Sequence, residues 1–275
     1  VERYIGDLES WSDRLPARAG EGSTGERGTG TLRLTLLDGF SLGTYVPTPL
    51  PASVWRIVTF LALRGPTTRA KIAGTLWPEA TEAHAQGRLR TAVWRLQRDH
   101  PGLIETRPGI LSLAESVWVD VHDVMRVAHE ILLPDEERVP ADFPLLLRDA
   151  ELMPGWDDEW IVFERERLRQ LRLHALEVLA QRLTAQRRFG AALEAALAAL
   201  GSDPLRESAH RVMISVHLAQ GNLCEARRQY EECASILGAE LGVAPSPLTR
   251  RLLHDFDLGD VDVRTGQKRL QDVTP

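Results

Sequence analysis

The stretch RAKIAGTLWPEATEAHAQGRLRTAVWRLQRD, residues 69–99, decides the fold. Thr67 or Thr68, just before it, supplies a hydroxyl cap for a short helix that packs through Ile72 and Leu76. Pro78 closes that helix. A longer helix is predicted over roughly 82–99, with Leu89, Ala92, Val93 and Leu96 at three- and four-residue spacings and so on one face. Two helices joined this tightly read as a helix-turn-helix.

The flanks complete the pattern. Residues 31–50 read as short strands, LRLTLLDGF and SLGTYVPT, with a turn at Asp38-Gly39. Helical spacing begins at Ala52, with Val54, Trp55, Val58, Leu61 and Ala62 on one side, and Gly65-Pro66 ends it. Past the longer helix, LIET (103–106) and ILSL (110–113) meet at Arg107-Pro108-Gly109, a predicted β-hairpin. Strands, three helices and a hairpin within some ninety residues define a winged helix-turn-helix with an N-terminal sheet. The fold class expected for the whole chain is mainly α: this α+β winged unit, then an all-α tetratricopeptide-like domain.

The second half rests on a repeat. Ala192, Ala196, Ala199 and Pro204 recur as Ala226, Tyr230, Cys233 and Gly238, each 34 residues on. That is the tetratricopeptide period, and the small residues let paired helices approach. Residues 120–255 read as almost entirely helical, with one long helix over 157–186 opened by Asp157 to Glu159. Breaks are expected at Gly201 to Pro204 and at Gly221-Asn222. The organisation read from the sequence is an N-terminal extension and linker (1–30), a winged helix-turn-helix (31–115), a helical activator domain (116–255) and a tail (256–275). Within the extension, residues 1–15 carry an amphipathic helical pattern. The linker holds a G-x-G-x-x-G at Gly20, Gly22 and Gly25, which reads as linker because no strand pattern precedes it.

Charge separates the same halves. The whole chain carries −6, yet residues 52–110 hold nine basic and four acidic side chains, a net of +5. Residues 111–275 hold 19 basic and 28 acidic ones, a net of −9. A basic segment joined to an acidic remainder suits a DNA reader with a protein-binding half. If the longer helix enters a major groove, its outward residues meet the duplex. Those are Arg88, Thr91, Trp94, Arg95 and Arg98, with Arg88, Thr91 and Arg95 on one stripe and Arg90 on the flank. Arg69 and Lys71, opening the shorter helix, are candidate phosphate contacts, and Arg107 at the wing tip could reach a flanking groove. The plain alternatives are solvated surface charge, and for Trp94 burial beneath the sheet or wing.

Catalytic patterns do not emerge. His210 and His217 lie seven apart with no third ligand spaced to join them, and Asp157, Asp158 and Glu159 read as helix-start residues. No Ser elbow, H-E-x-x-H or P-loop occurs in the sequence. No catalytic residue, metal or cofactor is expected, and the protein is read as a non-enzyme. Cys224 and Cys233, nine apart, read as free or packed thiols. No run of about 18 apolar residues suggests a membrane span, and the N-terminus lacks a signal-peptide pattern, so a cytoplasmic, nucleoid-associated location is expected.

Over residues 31–254 the chain resembles the Streptomyces antibiotic regulatory protein family. The resemblance rests on GTYVPTPLPASVWRIVTFLAL, RAKIAGTLW, GRLRTAVWRLQR and ILSL, then on FERERLRQLRLHALEVLAQRL, DPLRESAHRVMISVHLAQGNLCEARRQYEECASIL and GAELGVAPSP. The second group resembles the bacterial transcriptional activation domain. The resemblance implies binding to promoter direct repeats as side-by-side dimers. It also implies recruitment of RNA polymerase through sigma factor and alpha subunit contacts, and control of secondary-metabolite genes. It maps DNA reading onto Arg88, Thr91, Trp94, Arg95 and Arg98. Gln97 departs from the family's R-L-R-R, and the absence of an ATPase pattern makes the chain resemble the small form. Two other classes stay open: a repeat adaptor whose winged helix binds protein, and a ligand or peptide receptor on the repeat surface.

Overall fold

The computed structural model describes residues 32–43, 51–134 and 138–253. The amphipathic pattern of 1–15, the glycine linker and the tail lie outside the described residues, as does the end of the second N-terminal strand segment. The described chain is mainly helical with two small sheets.

Strands β1 (Arg33–Thr35) and β2 (Ser41–Gly43) pair antiparallel around the Asp38-Gly39 turn. Asp38 takes φ +60° and Gly39 φ +135° there. Helix α1 (Ala52–Arg64) follows, ended by Gly65 at φ +66°. It buries Val54, Ile57, Val58, Phe60, Leu61, Ala62 and Leu63. Strand β3 (Thr67–Thr68) leads into α2 (Arg69–Leu76), where the Thr68 hydroxyl accepts from the Lys71 amide at 3.4 Å, the cap expected from the sequence. Helix α3 (Glu82–Asp99) has the predicted bounds. Ala85, Leu89, Ala92, Val93 and Leu96 are buried along one side, and α2 and α3 pack together.

The wing is β4 (Ile104–Arg107) and β5 (Ile110–Leu113), with Arg107 paired to Ile110. Pro108 and Gly109 form the two-residue connection. Gly109 sits at φ +74°, a conformation that a side chain would strain. Strand β3 adds to the free side of β5, giving the order β3-β5-β4. Strand β6 (Trp118–Val119) runs parallel to β1, giving β2-β1-β6. Helix α4 (Asp120–Leu132) then begins with Asp120, whose carboxylate accepts the Leu36, Leu37 and Val121 amides at 2.8–3.1 Å. Those N–H groups are thereby satisfied where β1 ends.

The expectation of nearly continuous helix after 120 is corrected between Leu133 and Asp158. Among the described residues of that stretch only α5 (Pro144–Leu147) is helical. Prolines 134, 140, 144 and 154 explain the break, since each lacks an amide donor and crowds a preceding turn. Helix α6 (Glu159–Ala185) starts two residues later than expected. The Asp158 carbonyl accepts from the Ile161 and Val162 amides, so Asp158 stands at the helix entrance.

The chain forms two compact units. The first comprises the described residues up to Arg126 together with Ala150–Gln170. Its second segment is held by a line of rings: Phe40–Trp55 at 5.5 Å, Trp55–Trp156 at 4.1 Å, Trp156–Trp160 at 5.8 Å and Phe60–Trp160 at 5.2 Å. Arg56 pairs with Asp158, and Arg64 with the buried Glu164. Arg165 donates to the Leu152, Met153 and Trp156 carbonyls at 2.6–2.9 Å. The Asp38 and Glu151 backbones join as well, with the Asp38 amide donating at 2.8 Å.

The second unit comprises Val127–Asp149 and the described residues from Leu171 on. Helices α7 (Phe189–Ser202), α8 (Glu207–Ala219) and α9 (Leu223–Leu241) pack in sequence, and residues 247–253 are helical too. The starts of α7 and α9 are 34 residues apart, as the repeat requires. Ala192, Ala196, Ala199, Ala226 and Cys233 are all buried. Glu207 of α8 holds the next helix in place by accepting the Ser246 amide at 2.9 Å and the Thr249 hydroxyl.

Candidate nucleic-acid interface

The candidate interface is built on α3. Its buried stripe fixes the rotation of the helix, and the opposite side faces out. Arg88, Thr91, Trp94, Arg95 and Arg98 are all exposed, as is Arg90. Trp94 is 57% exposed, so the structure does not bury it beneath the sheet or wing. His84 extends the stripe by one turn towards the N-terminus, a residue the sequence reading passed over. Its Nδ1 hydrogen-bonds the Thr81 hydroxyl at 3.0 Å. The signal was present in the sequence, since 84, 88, 91 and 95 follow helical spacing.

An open groove of about 860 Å³ runs along α3 from Ala83 to Arg95. Its lining includes His84, Arg88, Thr91 and Arg95 on α3, Trp77 and Glu79 in the turn before it, and Ser53 at the start of α1. The Thr91 hydroxyl donates to the Gly87 carbonyl at 3.1 Å, and the residue is exposed.

The cations of this unit fall into two sets. Arg56 and Arg64 are held by Asp158 and Glu164, and serve packing. Arg88, Arg90, Arg95, Arg69 and Lys71 make no ion pair among the described residues. Of these, Arg69 is half-buried and Lys71 exposed at the start of α2. The Arg69 amide donates to the Gly109 carbonyl at 3.0 Å, which ties the wing turn to α2. Arg107 on the wing is 70% exposed and lies 3.5 Å from Glu105. Arg98 is engaged: its guanidinium forks onto Asp99 at 2.6 and 2.9 Å. The Gln97 amide donates to the Thr106 hydroxyl at 3.2 Å, so the residue that departs from the family pattern joins α3 to the wing.

Elsewhere the described residues hold no group of three His, Cys, Asp or Glu side chains placed for a metal. His210 is buried and satisfied on both sides, by the Pro204 carbonyl at 2.9 Å and the Gln229 amide at 2.8 Å. Cys224 is exposed and Cys233 buried, both free. No helix of the described residues is long and apolar enough to cross a membrane.

The described residues thus combine a helix-turn-helix and wing with paired helices of 34-residue period. Residues 145–255 match the model of the bacterial transcriptional activator domain. The regulatory protein AfsR of Streptomyces coelicolor is 25% identical over 259 residues, covering 82% of this chain and 26% of its own length. The chain thus spans about a quarter of that relative. A solved structure of Mycobacterium tuberculosis EmbR, in complex with a low-affinity phosphopeptide, shares the fold with a TM-score of 0.61 at 17% identity, over 82% of this chain and 64% of that one. The activator-domain match thus lies in the second part of the chain, while the similarity to AfsR extends over most of it.

Proposed function

We propose that this protein is a sequence-specific, DNA-binding transcriptional activator without enzymatic activity, with α3 reading the major groove. One observation carries the reading. Arg88, Thr91 and Arg95 form an exposed stripe on a helix whose other side is buried, and neither arginine makes an ion pair among the described residues. A guanidinium can contact guanine O6 and N7 bidentately, and a threonine methyl can meet thymine. Arg69, Lys71 and Arg107 flank the stripe as backbone contacts, and Trp94 and Arg98 complete the contact face.

The winged unit, residues 31–115, would supply recognition, and residues 116–255 the activator domain. Following the family, the repeat region contacts RNA polymerase through sigma factor and alpha subunit. Two copies occupy promoter direct repeats side by side, and the controlled genes serve secondary metabolism. The protein then acts in the cytoplasm, on the nucleoid.

Selection of duplexes from a random pool, followed by fluorescence anisotropy across salt, tests the reading. A specific duplex is expected, with affinity falling steeply as salt rises because neutralised phosphates release counterions. Failure to retain any duplex at about 50 mM salt, alongside capture of protein partners, would favour the adaptor reading.

A further inference from the structure

The C-terminal half of α3 is wired differently from its N-terminal half. Arg98 lies over the Trp94 ring, with its guanidinium carbon 4.7 Å from the centroid. The side edge of that guanidinium is already used, since Nε and Nη2 donate to the two carboxylate oxygens of Asp99. This fork is the geometry a phosphate would need from the same side chain. Arg95, one turn back, and His100 also act on the Asp99 carboxylate. Arg88, by contrast, makes no ion pair among the described residues. The exposed ring of Trp94 is therefore backed by an arginine whose charge is balanced within the protein.

Resting on the reading of α3 as the recognition helix, we propose that Arg98 is a positioning residue. Asp99 holds it as a backing for Trp94, and it is not among the cations that neutralise phosphates. Trp94 then meets the apolar features of the duplex, thymine methyl groups or deoxyribose. Asp99 has a second effect. Non-specific binding is almost wholly phosphate-driven, so a carboxylate that occupies one arginine and repels phosphate lowers it selectively. Asp99 thereby raises discrimination between operator and bulk DNA.

The salt slope separates this from an ordinary phosphate contact, because each neutralised phosphate adds about 0.9 to it. Affinities of the full chain are measured across salt for the selected duplex and a scrambled one. Lys71→Ala, at a proposed backbone contact, serves as the positive control, expected to reduce the slope by about 0.9. Arg98→Ala is expected to leave the slope unchanged while weakening the selected duplex several-fold, with no further loss when combined with Trp94→Ala. Asp99→Ala is expected to tighten the scrambled duplex several-fold and steepen the slope by about 0.9. Arg98 and Asp99 are 57% and 44% exposed, and matching thermal melts confirm folding of each variant. A slope that falls in Arg98→Ala as it does in Lys71→Ala overturns this proposal alone, as does unchanged scrambled binding in Asp99→Ala. A wild-type chain that binds neither duplex overturns the recognition-helix reading and this proposal with it.

Discussion

Trp55 and Trp156 pack with ring centroids 4.1 Å apart, although about a hundred residues separate them in the chain. Trp55 belongs to the first helix of the winged unit, and Trp156 precedes α6. Part of the region matched by the activator-domain model, residues 150–170, is thus packing material for the winged unit. Trp156→Ala removes the centre of a four-contact aromatic line. Because the residue is only half-buried, a loss of roughly 2–3 kcal/mol is expected, below that for a fully buried Trp. Thermal melting followed by Trp fluorescence checks this. A fragment ending at Arg126 should likewise melt below one extended to Gln170.

Asp120 carries a separate prediction. Its carboxylate satisfies three backbone amides where β1 and α4 meet. Asp120→Ala leaves those donors without their acceptor, for an expected cost of about 2–4 kcal/mol. Asp120→Asn retains one acceptor oxygen and should fall between the two in chemical denaturation.

Much of this unit was legible beforehand, and the reasons differ by element. Helix α3 was bounded correctly because Leu89, Ala92, Val93 and Leu96 give a clear helical period within one window. The wing followed from Pro108-Gly109. Strands β3 and β6 were not foreseen, since two residues carry no period and their partners lie far along the chain. The docking of 150–170 was equally hidden, because tryptophan spacing does not reveal which distant ring meets which. At the candidate interface the exposed face was readable from helical phase alone. The Arg98–Asp99 fork was not, since adjacent helical residues do not usually face each other.

The helical repeat unit should show an acid limb. Burial opposes ionisation of Glu177, but hydrogen bonds from His174, Arg206 and Ser208 outweigh it and hold the carboxyl down at about 2. A carboxyl lowered on folding stabilises above its unfolded value and loses that contribution as pH falls through about 2. The contribution is on the order of 3 kcal/mol. Glu177→Gln should flatten the decline in stability between pH 5 and pH 2, measured by urea unfolding of each form.

The two thiols should differ in reactivity. Burial, with Glu207 adding to it, pushes the Cys233 thiol up to about 11, and the side chain is enclosed. Cys224 is exposed. A thiol-specific chromogenic reagent at pH 8 should titrate one group quickly in the native chain and two in denaturant, because the thiolate is the reactive form.

The central claim is tested most directly by the affinity of Arg88→Ala and Arg95→Ala for a duplex selected by the wild-type chain. Each lost guanidinium contact is expected to weaken binding by about 1–3 kcal/mol, roughly 5- to 150-fold, with thermal stability unchanged. Wild-type affinity in both variants would contradict the assignment of α3 as the surface that reads DNA.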